Sequence, residues 1–124
     1  MALEIFLVED HEIVSDNLIA AIHELTEAKV VAVARTEAQA LDWLEHNRAD
    51  VYIVDVMLKN GNGLKVLKQT NTVEGIWIVF SNHAVPELAV MAKEFGADYV
   101  MDKSNEVDTL ISTLSRLVRE RSKE

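Results

Sequence analysis

The sequence predicts an α/β fold: a doubly wound, five-stranded parallel sheet with helices on both faces, (βα)5 in chain order. Three observations predict it. Five short apolar runs alternate with five segments of helical period. The links between them are short, which implies parallel strands joined by right-handed crossovers. The first four runs are β-branched or aromatic-rich and nearly continuous, as expected of strands covered on both faces.

The strand candidates are LEIFLV (3–8), KVVAVA (29–34), VYIVDV (51–56), IWIVF (76–80) and DYVMD (98–102). In the first helix Val14, Leu18, Ala21, Ile22 and Leu25 share a face. Thr36 and Gln39 form a capping box for the second, which buries Ala40, Leu41 and Leu44. A short third helix starts near Gly63 and turns Leu64 and Leu67 inward. Pro86 suits the first turn of the fourth, with Leu88, Met91, Ala92 and Phe95 inward and Gly96 ending it. Ser104 is the expected N-cap of the fifth, which carries Val107, Leu110, Ile111, Leu114, Leu117 and Val118. Glu106 and Asp108 fall in its first turn. Arg116, Arg119, Arg121 and Lys123 fall toward its end, where the helix dipole favours cations.

The length of 124 residues suits one domain spanning 1–124, and 49% hydrophobic residues are ample for a packed core. No internal linker, repeat or low-complexity segment interrupts the chain. A net charge of −9 argues against direct binding to nucleic acid or to an anionic membrane. No run is long and apolar enough for a membrane span, and no signal-peptide pattern opens the chain. The absence of cysteine excludes disulfides and thiolate sites and fits a cytoplasmic location.

Open parallel sheets bind ligands beyond the carboxyl ends of their strands. Glu9, Asp10, His11 and Glu12 follow the first strand, Asp55 the third, Ser81, Asn82 and His83 the fourth, and Lys103 the fifth. Crowded carboxylates raise each other's pKa unless a cation offsets them. Mg²⁺ suits a few carboxylates plus water. A lysine and a hydroxyl beside it suit a tetrahedral anion such as phosphate. Asp55, held rigidly at a strand end, is then placed to act as a nucleophile that forms an aspartyl phosphate.

At these residues the chain resembles the response-regulator receiver domain of two-component signalling, along essentially its whole length. The marks are VED (8–10), the aspartate in IVDVMLKNGNG (53–63), Ser81 after an apolar strand, and GADYVMDK (96–103). The resemblance implies the flavodoxin-like, CheY-like strand order 2-1-3-4-5. It implies Asp55 as phosphoacceptor, with Glu9, Asp10, Asp55 and the backbone carbonyl of Met57 around Mg²⁺. Lys103 would pair with one phosphoryl oxygen and Ser81 with another. The donor would be a phosphohistidine on a sensor histidine kinase or a histidine phosphotransfer protein. Beyond its own phosphoryl transfer and slow autodephosphorylation, no enzymatic activity is implied. The readout would pass through the fourth helix, fifth strand and fifth helix to a protein partner, an output domain or a second copy. Nothing after residue 124 supplies an output, so the chain reads either as a stand-alone receiver or as one cut from a longer regulator.

Four positions depart from the family pattern. Lys59 stands where proline is common, which predicts a looser loop. Asn82 replaces a small residue and is expected to narrow access to Asp55. Ser104 replaces a proline, which removes the usual reason for a cis bond there. Val100 replaces the aromatic three residues before Lys103, and the adjacent Tyr99 is expected to face the other way.

Two rival functions follow from the same residues. A Mg²⁺-dependent phosphohydrolase with an aspartyl nucleophile would want a second aspartate at 57, where this chain has methionine. A receiver-like binding module that works without phosphorylation would have no use for all five site residues. His11, His23, His46 and His83 are assigned no catalytic role, although His83 lies near the rim, where it could tune hydrolysis. Trp43 and Trp77 are assigned to packing, with Trp77 as a possible reporter of the site.

Overall fold

A computed structural model describes residues 2–70, 73–82 and 85–121. His83 and Lys123 lie outside these described residues. The strands are β1 (Glu4–Val8), β2 (Lys29–Ala34), β3 (Val51–Val54), β4 (Ile76–Ser81) and β5 (Tyr99–Asp102). The helices are α1 (Glu12–Leu25), α2 (Glu37–His46), α3 (Gly63–Gln69), α4 (Pro86–Glu94) and α5 (Val107–Arg121). The five strands form one parallel sheet in the order β2-β1-β3-β4-β5.

Strand alternation sorts the core into two layers. Phe6, Val8, Tyr52, Val54, Trp77 and Val79 face one side and pack with residues of α2, α3 and α4. Ile5, Leu7, Val51, Ile53, Ile78 and Phe80 face the other and pack with residues of α1 and α5. Both sides of the central strands are thus covered, which is why their sequences run continuously apolar. The register brings Val8 beside Val54, Val54 beside Val79, and Ser81 beside Asp102. The carboxyl ends of β1, β3, β4 and β5 therefore meet along one rim.

Several local expectations needed correction. β3 stops at Val54, because beyond Asp55 the chain folds back and the Val56 carbonyl accepts from both Leu58 and Gly63. The buried face of α1 is Ser15, Leu18 and Ile22, while Val14 and Leu25 are exposed. Ser15 can be buried because its hydroxyl donates to the Glu12 carbonyl and accepts from Arg35. Met91 is exposed on α4, and Val107 is exposed at the start of α5. Ser104 does not cap α5. It lies three residues ahead of the helix, and its amide and hydroxyl both donate to Oδ1 of Asp102. At α2 the Thr36 hydroxyl accepts from the Gln39 amide, while the Gln39 side chain reaches back one residue further, to the Arg35 amide.

The tryptophans do pack. Trp43 stacks on Phe6 with centroids 4.0 Å apart, and Trp77 on Tyr52 at 4.3 Å. Trp77 lies four residues before Ser81, about 13 Å along the strand from the rim, so it is poorly placed to report on that end. Tyr99 and Val100 join opposite core layers, as strand alternation requires.

Candidate functional site

The rim carries a buried, charged cluster. Asp55 is 5% exposed, Glu9 2% and Ser81 fully buried. β3 delivers Asp55, whose amide donates to the Val8 carbonyl at 3.0 Å and so ties it to the end of β1. Its Oδ1 accepts from the Ser81 hydroxyl at 2.9 Å and from the Met57 amide at 3.2 Å. Its Oδ2 accepts from Nζ of Lys103 at 2.7 Å. The same ammonium donates to Oε1 of Glu9. β1, β3, β4 and β5 each place one member of this network.

Charge decides how the cluster holds together. A buried carboxylate is costly unless paired, and Lys103 serves two of them. Burial alone would lower the Lys103 pKa. Hydrogen bonds to Asp55 and Glu9, reinforced by their charges, outweigh burial and raise it above the ordinary lysine value. At Asp10 burial pushes upward, while the Lys59 amide, the Glu9 side chain and His11 pull downward. The net result is a carboxyl below its usual range. The group Glu9, Asp10, Asp55 and Lys103 still carries an excess of negative charge.

Asp10 has contacts of its own. Its Oδ2 accepts from the Lys59 amide, and its Oδ1 is buried with no hydrogen-bond partner among the described residues. Ligand atoms of Glu9, Asp10 and His11 lie within 4.8 Å of one another. The orphaned oxygen and the all-oxygen donors of Glu9, Asp10 and Asp55 fit a hard divalent cation such as Mg²⁺. Met57 follows Asp55 at the lip of the site, 73% exposed, with its amide turned to the carboxylate. A cleft of about 160 Å³ opens here, lined by His11, Val14, Asp55, Met57, Asn82 and Lys103. Asn82 thus forms part of the wall beside Asp55. A larger surface depression, bounded by Arg48, Asp50, Glu74 and Gly75, lies by the amino ends of β3 and β4, away from these carboxylates.

The loop after Asp55 is pinned rather than loosened. The amide of Lys59, a donor that proline would lack, holds Asp10. The Asn62 amide donates to the Glu37 carboxylate at 3.0 Å, and the Glu37 amide donates to the Asn60 carbonyl at 3.1 Å. Gly61 has φ +108°, and a Cβ there would lie 2.3 Å from Cβ of Glu37. On the other side Arg35 donates from Nη1 to the Glu9 carbonyl at 3.1 Å and to the Ser15 hydroxyl at 2.6 Å. Arg35 and Glu37, at the entry to α2, therefore grip both acidic loops. Sequence reasoning missed them. No local pattern signals them, because their partners lie on loops far away in the chain.

Comparisons with known proteins identify the family and the fold. The family model described as the response regulator receiver domain matches residues 5–115. The DNA-binding transcriptional activator DevR/DosR of Mycobacterium tuberculosis is 35% identical over 66 residues, which are 53% of this chain and 30% of that protein. The matched stretch thus spans less than a third of that relative's length. Among solved structures, a CheY-like receiver domain protein from Methanospirillum hungatei superposes with a TM-score of 0.82 at 21% identity, covering 99% of this chain and 98% of that one. A LuxR-family two-component response regulator from Aurantimonas superposes with a TM-score of 0.85 at 22% identity, covering 97% and 87%.

Proposed function

This chain belongs to the response regulator receiver domain family, and from that premise we propose that it is a phosphorylation-operated signalling switch with Asp55 as its phosphoacceptor. The observation that carries the proposal is the Asp55 carboxylate, buried at a strand end and held from two sides by the Ser81 hydroxyl and the Lys103 ammonium. Residues 1–124 act as one receiver unit, cytoplasmic, serving a sensor histidine kinase or phosphotransfer protein upstream. No helix among the described residues is long and apolar enough to cross a membrane.

A carboxylate oxygen of Asp55 attacks the phosphorus of a phosphohistidine. The new O–P bond forms as the P–N bond breaks, and the electron pair returns to the imidazole nitrogen, which takes a proton from solvent. Lys103 moves its charge from the carboxylate to a phosphoryl oxygen, and the Ser81 hydroxyl turns to another. Glu9, Asp10, Asp55 and the Met57 carbonyl would hold Mg²⁺. When bound, that ion supplies positive charge to the phosphoryl oxygens. Asn82, in the cleft wall beside Asp55, narrows the access of water to the product. Met57, with no acid or base on its side chain, argues against the phosphohydrolase alternative.

The modified site would then act on its surroundings. A phosphoryl group adds roughly −1.5 to −2 charge units. The residues that answer it begin the β4–α4 link and follow β5, so the face of α4, β5 and α5 is the proposed surface for a partner, an output domain or a second copy. Incubation with a small phosphodonor and Mg²⁺, followed by intact mass, tests the reading. One phosphoryl adduct on the wild type and none on Asp55→Asn is expected. Turnover without an adduct would favour a hydrolase, and no reaction a phosphorylation-independent binding module.

A further inference from the structure

At the join of β1 and α1, one nitrogen donor stands among the carboxylates. We propose that Glu9, Asp10 and His11 form a site for a borderline divalent transition cation, of the Co²⁺, Ni²⁺ or Zn²⁺ type, with the His11 imidazole as a direct ligand. The proposal rests on the reading of Glu9 and Asp10 as a metal-binding rim. It adds a donor that suits transition ions, whereas Mg²⁺ prefers oxygen.

Distances support a shared ion. Nδ1 of His11 lies 3.0 Å from Oδ1 of Asp10 and 3.6 Å from Oε2 of Glu9. An ion with bonds of about 2.1 Å sets adjacent ligands about 3.0 Å apart in octahedral geometry and about 3.4 Å apart in tetrahedral geometry. Both separations are therefore close to those that one ion would impose. The His11 amide also donates to Oε2 of Glu9 at 3.0 Å, which turns that carboxylate toward the cluster.

A second observation is independent of these distances. The Asp10 side chain is only 8% exposed, yet its Oδ1 has no hydrogen-bond partner among the described residues. Nδ1 lies 3.0 Å away but makes no hydrogen bond to it, and as the unprotonated nitrogen of a neutral imidazole it would be free to coordinate. A buried carboxylate oxygen without a donor is costly, and a cation between it and the imidazole nitrogen removes that cost. Oδ2 is occupied by the Lys59 amide, so Asp10 presents one free oxygen. The His11 ring is 71% exposed, which leaves the ion an open path and room for water ligands.

Both kinds of cation need the same Asp10 oxygen, so the transition ion and Mg²⁺ exclude each other. Full-chain protein titrated with Co²⁺, followed by calorimetry and by visible absorption, tests this. The wild type is expected to bind Co²⁺ with a spectrum of mixed nitrogen and oxygen ligation that excess Mg²⁺ abolishes. His11→Ala should bind Co²⁺ at least about tenfold more weakly, the loss that even an outer partner's removal brings, while its Mg²⁺ affinity is unchanged. The ring is exposed, so the substitution leaves the fold intact, and circular dichroism checks this. Equal Co²⁺ affinity and an identical spectrum in His11→Ala would overturn the histidine site alone. Wild-type Mg²⁺ affinity in Asp10→Ala would instead overturn the metal rim itself, and the proposal with it.

Discussion

Nζ of Lys103 stands 2.7 Å from Oδ2 of Asp55, although 48 residues separate them in the chain. The contact joins the end of β5 to the end of β3 across the intervening β4. It makes Lys103 the counter-charge of the candidate nucleophile, and Glu9 shares the same ammonium.

Lys103→Met should therefore destabilise the protein. Two carboxylates would be left buried without their cation, and breaking such a pair costs roughly 3 kcal/mol. Urea unfolding at neutral pH measures it. A loss within error of zero would mean that solvent already screens the pair.

Acid should separate wild type from Asp10→Asn. The folded Asp10 pKa lies below its ordinary 3.8, so its charged form favours the native state. That contribution is present above pH 3.8 and is lost as pH falls through the lower folded value. Asparagine still accepts the Lys59 amide but does not titrate. The stability difference, wild type minus variant, should shrink between pH 5 and pH 3 in chemical denaturation. A constant difference would contradict the assignment.

Gly63→Ala should disrupt the site from behind. A Cβ there would stand 2.0 Å from the Asp55 carbonyl oxygen and 2.7 Å from Cγ1 of Val54. Backbone at a central strand end yields little, so a loss of about 3 kcal/mol is expected, at the upper end for overpacking. Thermal unfolding reads the stability, and intact mass should show reduced phosphoryl uptake. Wild-type values of both would show that the loop can slide.

Ser81→Ala and Tyr99→Ala should behave differently. Ser81 touches Asp55, so its alanine variant should accept phosphate yet transmit a blunted change to a partner. Tyr99 packs in the α1 and α5 layer, and its hydroxyl accepts from Arg116 on α5. Tyr99→Ala should weaken that packing and leave phosphorylation-dependent coupling largely intact. Partner or dimer affinity, measured with and without phosphodonor, decides. The reverse pattern would place the switch in Tyr99.

The aspartyl phosphate should be long-lived. Met57 sits at the lip of the cleft and offers no group to orient an attacking water. Met57→Asn supplies one and should quicken decay, followed as loss of the adduct mass over time. Slower decay in the variant would refute the role given to Met57.

Much of this was legible in the chain. Asp55, Ser81 and Lys103 each follow an apolar run, and parallel strands with short crossovers must bring those ends to one rim. The opposite facing of Tyr99 and Val100 followed from strand alternation alone. Other features were not legible. Ser15 reads as a surface residue until Arg35, twenty positions away, satisfies its hydroxyl. Ser104 reads as an N-cap until the chain spends two more residues turning before α5.

The sequence by itself determined the strand-and-helix order, the opposite facing of Tyr99 and Val100 and the strand-end members of the rim, because these depend on local periodicity and chain direction. Only the tertiary structure decided which oxygens are taken. Lys103 bridges Glu9 and Asp55, the Lys59 amide claims one oxygen of Asp10, and the other lies beside His11 with no hydrogen bond among the described residues. Such pairings depend on distances of a few tenths of an ångström between loops far apart in the chain, and no local pattern encodes them.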